Sequence, residues 1–206
     1  MIKKAEAICY GAATIVNAIA TGKGAAFGAK LWTKAEVKLT NEPGIIEGDI
    51  VSDPEENNIL IQKTVENVLK YFRLNKKYGA KVKTWSNIPI AKGLKSSSAA
   101  ANAITLATVA ALGEKLDDMA VVNLAVDAAI DAKVTITGAF DDACASYLGG
   151  IMVTDNTQRR IVKSLKMKDE LDVLFYVPRA KAYTISSDVD RMKTMAPQIE
   201  IAYKEA

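Results

Sequence analysis

The spacing of apolar and polar positions sorts the chain into strands and helices before any chemistry is considered. Residues 5–10 suit a first strand, and 31–39 a second, with Trp32, Ala35, Val37 and Leu39 interspersed among charged residues. Between them, residues 11–28 are crowded with small side chains, which let backbone or ligand approach closely. Asn41-Glu42-Pro43-Gly44 is a turn signal, so 45–51 reads as the returning strand of a hairpin. The period then changes: Ile59, Leu60, Val65, Val68, Leu69 and Phe72 recur at helical spacing, predicting an amphipathic helix over 57–74. Residues 80–85 alternate again, as a strand. A Gly/Ser loop at 89–98 leads into an Ala-rich helix over 98–112 that stops at Gly113.

Asp117-Asp118 can cap the next helix, which carries Met119, Val122, Leu124, Ala125 and Ala128. After a short linker at 135–139, residues 141–148 suit a helix closed by Gly149-Gly150. Strands are expected at 151–154 and 161–165 around the turn at Asp155-Asn156, and at 171–177, a strongly apolar run ending at Pro178. Residues 188–206 read as helix interrupted near Pro197. Its apolar stripe (Ile199, Ala202, Tyr203) runs to the last residue with no Gly or Pro cap, so the chain is expected to be incomplete at this end. Strands and helices mix without a regular βαβ alternation, which makes the fold class α+β.

Composition narrows the functional classes. A length of 206 residues allows one generous domain, or one and part of a second. The net charge is only +3, basic residues are interleaved with acids, and aromatics are few, so neither nucleic acid nor membrane is an expected partner. A mildly basic balance suits a protein that handles anionic nucleotides. Lys3-Lys4 and the small residues after them superficially resemble a signal peptide, but Glu6 interrupts the apolar run at once. No stretch reaches the roughly 18 uninterrupted apolar residues of a membrane span. Cys9 and Cys144 lie far apart and offer neither a disulfide framework nor metal-ligand spacing, which fits a reduced, cytoplasmic setting. Histidine is absent. That excludes Ser-His-Asp and Cys-His relays and His-ligated zinc, leaving acid–base chemistry to Asp, Glu, Lys or Tyr.

Two strings carry candidate chemistry. The first is Pro89-Ile90-Ala91-Lys92-Gly93-Leu94-Lys95-Ser96-Ser97-Ser98-Ala99. Gly93 and the serines supply N–H groups and hydroxyls without bulk, Lys92 and Lys95 add charge, and the helix behind presents its positive end, so the string can cradle a triphosphate. Neither the Walker nor the dinucleotide-binding glycine pattern is present. The bland alternative is a Ser-rich cap on a core helix. The second string is Asp141-Asp142 at the start of a helix that closes at Gly149-Gly150. Adjacent aspartates there can simply cap the helix, or one can orient an acceptor hydroxyl and take its proton.

Both strings resemble motifs of the GHMP kinases, the superfamily of galactokinase, homoserine kinase, mevalonate kinase and phosphomevalonate kinase. The resemblance implies a ribosomal S5-like ATP-binding lobe, placed at 1–160, and a ferredoxin-like second lobe begun at 161 and left incomplete. It implies that the loop from Pro89 to Ala99 wraps the ATP phosphates, with Ser97 or Ser98 near magnesium. In this family a catalytic Asp stands seven residues before a glycine and an acidic metal ligand eleven residues before that Asp. Asp142 is seven before Gly149, and Asp131 eleven before Asp142. This makes Asp142 the catalytic carboxylate, Asp141 a supporting or capping residue, and Asp131 the metal ligand, where many relatives have Glu. The family's later Thr/Ser-Gly-x-Gly motif is not found; no glycine follows Gly150.

The stretch from Gly11 to Gly28, together with Asp-Asp-Ala-Cys-Ala-Ser-Tyr-Leu-Gly-Gly, more closely resembles archaeal shikimate kinases, and this likeness spans essentially the whole chain. It implies ATP- and magnesium-dependent phosphorylation of the shikimate 3-hydroxyl. Thr14, Asn17 and Thr21 can hydrogen-bond substrate hydroxyls, and Lys23, counted with Asp142 and Asp141 among the catalytic residues, can meet a carboxylate or phosphate; each can equally be a surface polar residue. Homoserine or mevalonate kinase, an RNA-binding module and a folded but inactive fragment stand as alternatives. The sequence does not set the oligomeric state.

Overall fold

The structure is a computed structural model that describes residues 3–167, 171–177, 179–180 and 183–206. Its spine is one long strand, β2 (Lys23–Thr40). Strand β1 (Lys4–Val16) runs antiparallel along nearly all of it. The other edge of β2 is shared: β4 (Gly79–Ser86) pairs with residues 33–40 and β5 (Ile151–Asp155) with residues 23–27, both antiparallel. Strand β3 (Ile46–Ile50) lies parallel to β4, and β6 (Arg160–Leu165) antiparallel to β5, completing a six-stranded sheet.

The hairpin expected after the turn at 41–44 does not form, because β4 occupies the place beside β2 and β3 pairs outside it. Helix α1 (Ile59–Tyr71) explains the exchange. Its stripe of Ile61, Val65, Val68 and Leu69 is fully buried against the sheet, and crossing the sheet on that stripe delivers β4 parallel to β3. Helices α2 (Ser96–Leu112), α3 (Asp118–Asp131) and α4 (Phe140–Leu148) complete the helical layer. Helix α2 is apolar nearly all round, and its alanines let it lie close to the sheet on one side and its helical neighbours on the other. Two core patches result. Val37, Leu39 and Val82 meet α1 and Ile104 in one; Ala12, Ala26 and Met152 meet Val122, Val126 and Phe140 in the other. The opposite sheet face carries cross-strand ion pairs such as Lys4–Glu36, Lys34–Glu6 and Lys81–Glu47. Cys9 and Cys144 are free and buried.

Residues 171–177 were expected to form a strand, and they do not. No strand among the described residues offers them a ladder; Leu174 and Tyr176 are 98% and 90% exposed, and Phe175 alone packs, on Ile88, Leu94 and Ala99. Pro178, where that strand was expected to end, lies outside the described residues. The C-terminal helix is broken as expected, into α5 (Val189–Lys193) and α6 (Ala196–Glu205). Pro197 sits in the first turn of α6, where its missing N–H leaves no bond unmade. Ile199 and Tyr203 of α6 pack on Val16, Ala25 and Val153.

Candidate active site

Two helix starts face one cleft. At the first, Lys95 caps α2 in the left-handed conformation (φ 61°, ψ 37°) and makes no side-chain capping bond, so the first-turn N–H groups are left for a ligand. At the second, Ala139 caps α4 with φ 49°, ψ 48°, again without a capping bond. Ala91, with φ 55°, is a third non-glycine residue in this region of backbone space. Each such residue costs about 1–3 kcal/mol, and strain of this kind collects where a ligand is held. Ala91, Lys95 and Ala139 all line the cleft, which encloses about 1160 Å³ with its mouth included. Gly93 has φ 79°, and a Cβ placed there would meet nothing within 4 Å. The loop is therefore an open cradle.

Of the loop residues singled out by sequence, Ile90, Ala91, Gly93, Lys95, Ser96, Ser97 and Ser98 line this cleft; Pro89, Lys92, Leu94 and Ala99 do not. Leu94 and Ala99 are buried with Ile88 and anchor the loop from behind. Lys92 donates to the backbone carbonyls of Arg179 and Ala180, at 2.6 and 2.7 Å.

The adjacent aspartates diverge. Asp142 enters the cleft, where its Oδ2 accepts from Lys95 Nζ at 3.0 Å; its Oδ1 is buried with no partner among the described residues. Asp141 turns away. Its Oδ1 accepts from Asn156 Nδ2 at 2.7 Å, and its backbone N–H donates to Asn156 Oδ1 at 3.2 Å. Thr154 donates to the same Asn156 oxygen at 2.7 Å. Burial, and then the charge of Asp141, push the Asp142 carboxyl from 3.8 up to about 7; Lys95 and the Thr14 hydroxyl oppose the rise. Asp141 is raised too, by burial above all, with Asn156 pulling the other way.

Thr14 thus stands beside Asp142, but the structure does not bring the other nominated polar residues to the pair. Asn17 is exposed, its Oδ1 taken by the Ile19 N–H at 2.8 Å. The Thr21 hydroxyl is engaged with the backbone of Lys23. Lys23 itself pairs with Glu200 at 3.1 Å and lies 5.8 Å over the Tyr203 ring, so α6 claims the cation expected in catalysis. Asp131 ends α3 on the outside, exposed and accepting from Asn67 Nδ2 at 2.9 Å. The α3 end packs toward α1, and residues 132–139 carry the chain away to the cleft, so no metal ligand is delivered there from position 131.

Several cleft residues were not singled out from sequence, Thr33, Thr84, Ser86 and Thr135 among them, and neither were three buried polar residues that support the two helices from behind. Asn156 read as a turn residue, yet it holds Asp141. Asn102 and Ser146 lie buried within α2 and α4; Asn102 Nδ2 donates to the Ala143 carbonyl at 3.0 Å and to Ser146 Oγ at 3.3 Å, and Ser146 bonds the Tyr10 carbonyl of β1. The available signal for Asn102 was a lone amide in an alanine-rich helix, which a fully apolar packing role would not select.

Comparison with known proteins bears on the family and the fold. Residues 59–150 match the family described as GHMP kinases N terminal domain. The shikimate kinase of Methanosarcina mazei is 47% identical over 208 residues, covering 100% of this chain and 69% of that protein. That of Pyrococcus abyssi is 48% identical over 176 residues, covering 85% of this chain and 63% of that protein. Among solved structures, the Methanococcus jannaschii mevalonate kinase superposes with a TM-score of 0.60 at 19% identity, over 82% of this chain and 56% of that one. The Cytophaga hutchinsonii homoserine kinase gives 0.61 at 15% identity, over 73% and 48%. The chain spans about two thirds of the length of the curated relatives and about half that of the solved kinases, which share its fold.

Proposed function

The chain belongs to the GHMP kinases and, among them, to the archaeal shikimate kinases, and on that premise we propose that it carries the site for transferring the γ-phosphoryl group of ATP to the 3-hydroxyl of shikimate. One observation carries this reading: an open glycine–serine cradle at a helix start and a buried carboxylate, one oxygen of which has no partner among the described residues, line the same cleft. The first-turn N–H groups of α2 and the hydroxyls of Ser96, Ser97 and Ser98 receive the phosphates. The acceptor lies beside Asp142 and Thr14. Its hydroxyl donates to Asp142 Oδ1, and its oxygen attacks the γ-phosphorus. As the new P–O bond forms, the bond to the β-phosphate oxygen breaks, ADP leaves with the electron pair, and the hydroxyl proton passes to Asp142. No covalent enzyme intermediate is needed.

Magnesium fits this site as a companion of the nucleotide. Among the described residues there is no cluster of three or more His, Cys, Asp or Glu able to cage a metal. The hard oxygens of Ser97 and Ser98 suit an ion held mostly by phosphate and water. When bound it would supply charge neutralisation at the phosphates. The division into a nucleotide-binding unit at 1–160 and a second unit from 161 is likewise our proposal, although β6 pairs with β5 and carries the sheet of the first unit on to Leu165. No described helix is long and apolar enough to cross a membrane. The free thiols of Cys9 and Cys144 support our placing the protein in the cytoplasm, with small-molecule partners.

The test is ATP consumption with shikimate, homoserine and mevalonate side by side, on this chain and on one extended to its relatives' length. Shikimate should be phosphorylated. Phosphorylation of homoserine or mevalonate with shikimate ignored would overturn the assignment.

A further inference from the structure

We infer that Lys95 couples the phosphate cradle to the acid–base carboxylate, giving one N–H to Asp142 and its remaining N–H groups to the phosphoryl group in transfer. The inference deepens the kinase reading and rests on it.

The geometry gives three reasons. First, Lys95 Nζ lies 3.0 Å from Asp142 Oδ2, and the two side chains are only 19% and 9% exposed. This is an enclosed pair, not a surface contact of small worth. Second, Lys95 adopts the left-handed conformation at the N-cap of α2, yet its side chain does not cap the helix. A non-glycine residue in that conformation is costly, and what it gains here is the contact with Asp142. Third, the pairing leaves Asp142 divided. Oδ2 is clamped by the ammonium, and Oδ1 is buried with no partner among the described residues. Lys95 therefore fixes which carboxylate oxygen meets the acceptor hydroxyl.

Charge makes the same demand. Asp141 and Asp142 are adjacent and both buried, at 3% and 6% exposure. Two carboxylates would repel a phosphoryl group whose charge spreads over its equatorial oxygens during transfer. A cation between them and the phosphates removes that obstacle. Lys23 is held at Glu200, and Lys92 donates to the carbonyls of Arg179 and Ala180. Lys95 both lines the cleft and touches Asp142. An ammonium with one N–H spent on a carboxylate still has donors to offer a phosphate. Lys95 transfers no proton; it orients one group and stabilises another.

The experiment compares the wild-type chain with K95M, K95R, D142N and the K95M/D142N double variant. Steady-state turnover is measured with ATP and shikimate, and binding of ATP and of ADP by calorimetry. K95M should lower kcat on the order of 10²–10³-fold, as loss of one transition-state donor does, with the shikimate KM little moved. In the D142N background K95M should cost under about tenfold more, because the two residues act as a unit. K95R should recover much of kcat. K95M should also weaken ATP more than ADP, since ADP lacks the phosphate that Lys95 meets. This arm needs no turnover, so it still tests Lys95 if wild type phosphorylates no acceptor and the kinase reading itself fails. An unchanged kcat in K95M, additive losses in the double variant, or equal weakening of ATP and ADP would overturn the proposal. If K95M does not fold, K95R with kcat reduced as far as in D142N would do so.

Discussion

Successive side chains on a helix are turned by about 100° from each other, so neighbouring aspartates cannot face the same surroundings. At the start of α4 this sends Asp142 to the cleft and Asp141 to Asn156. Asp142→Asn keeps the shape and removes the charge of the proposed base; turnover should fall by about 10²–10⁴-fold, with ATP affinity nearly unchanged. Asp141→Asn should cost less than about tenfold in turnover, because its role is to fix the helix start. The reverse order would show that Asp141 is the base. The raised carboxyl also sets a pH dependence. A general base must be ionised, so turnover should decline as pH falls through about 7, the value to which burial and Asp141 lift Asp142. Stability runs the other way. The folded state holds a proton on Asp142 between 3.8 and about 7 that the unfolded chain has released, so stability from this group is full below 3.8 and is lost as pH rises through about 7. Urea midpoints across that range should show the decline in wild type and a flatter profile in Asp142→Asn. The resemblance to GHMP kinases, through the spacings to Gly149 and Asp131, nominated Asp142, but the partner of that carboxylate could not be read, because it depends on the backbone angle at Lys95.

A strand can take part in a site by having no side chain. In β2, a Cβ on Gly24 would stand 2.4 Å from Asp141 Oδ2 and 2.9 Å from the Ala18 Cβ. Gly24→Ala should push Asp141 off Asn156 and destabilise the fold by about 1–3 kcal/mol, as overpacking does. Thermal unfolding measures the loss, and a melting temperature equal to wild type would show that Asp141 has room to move. The elements themselves were mostly legible, since a periodic stripe such as that of α1 depends only on local sequence. Pairing was not. Nothing in residues 45–51 tells whether their neighbour is the strand just before the turn or β4, whose pairing residues begin at Gly79. The run at 171–177 has strand-like composition, but a strand exists only where another lends it hydrogen bonds.

At the scale of the molecule, α+β composition and two-layer packing follow from one charged sheet face and one apolar face covered by helices. The cleft is a property of the assembled layers, which is why Asp131, correctly spaced along the chain, comes to rest outside it. The long strand β2 also joins two half-sheets that do not pair with each other: β4 and β3 hang on residues 33–40, β5 and β6 on residues 23–27. The second attachment is the shorter, and β6 is exposed along most of its length. That half should open first, as a cooperative unit of lower free energy than the rest. Native-state hydrogen exchange should therefore release the amides of 151–155 before those of 79–86; simultaneous release would mean that the sheet opens as one. The cradle follows β4, while the acid pair is tied through Asn156 to the turn after β5, so a bound nucleotide spans the seam. Ligand in the cleft would then act as a staple, and its occupancy should be written most plainly in the slowed exchange of a strand it never touches.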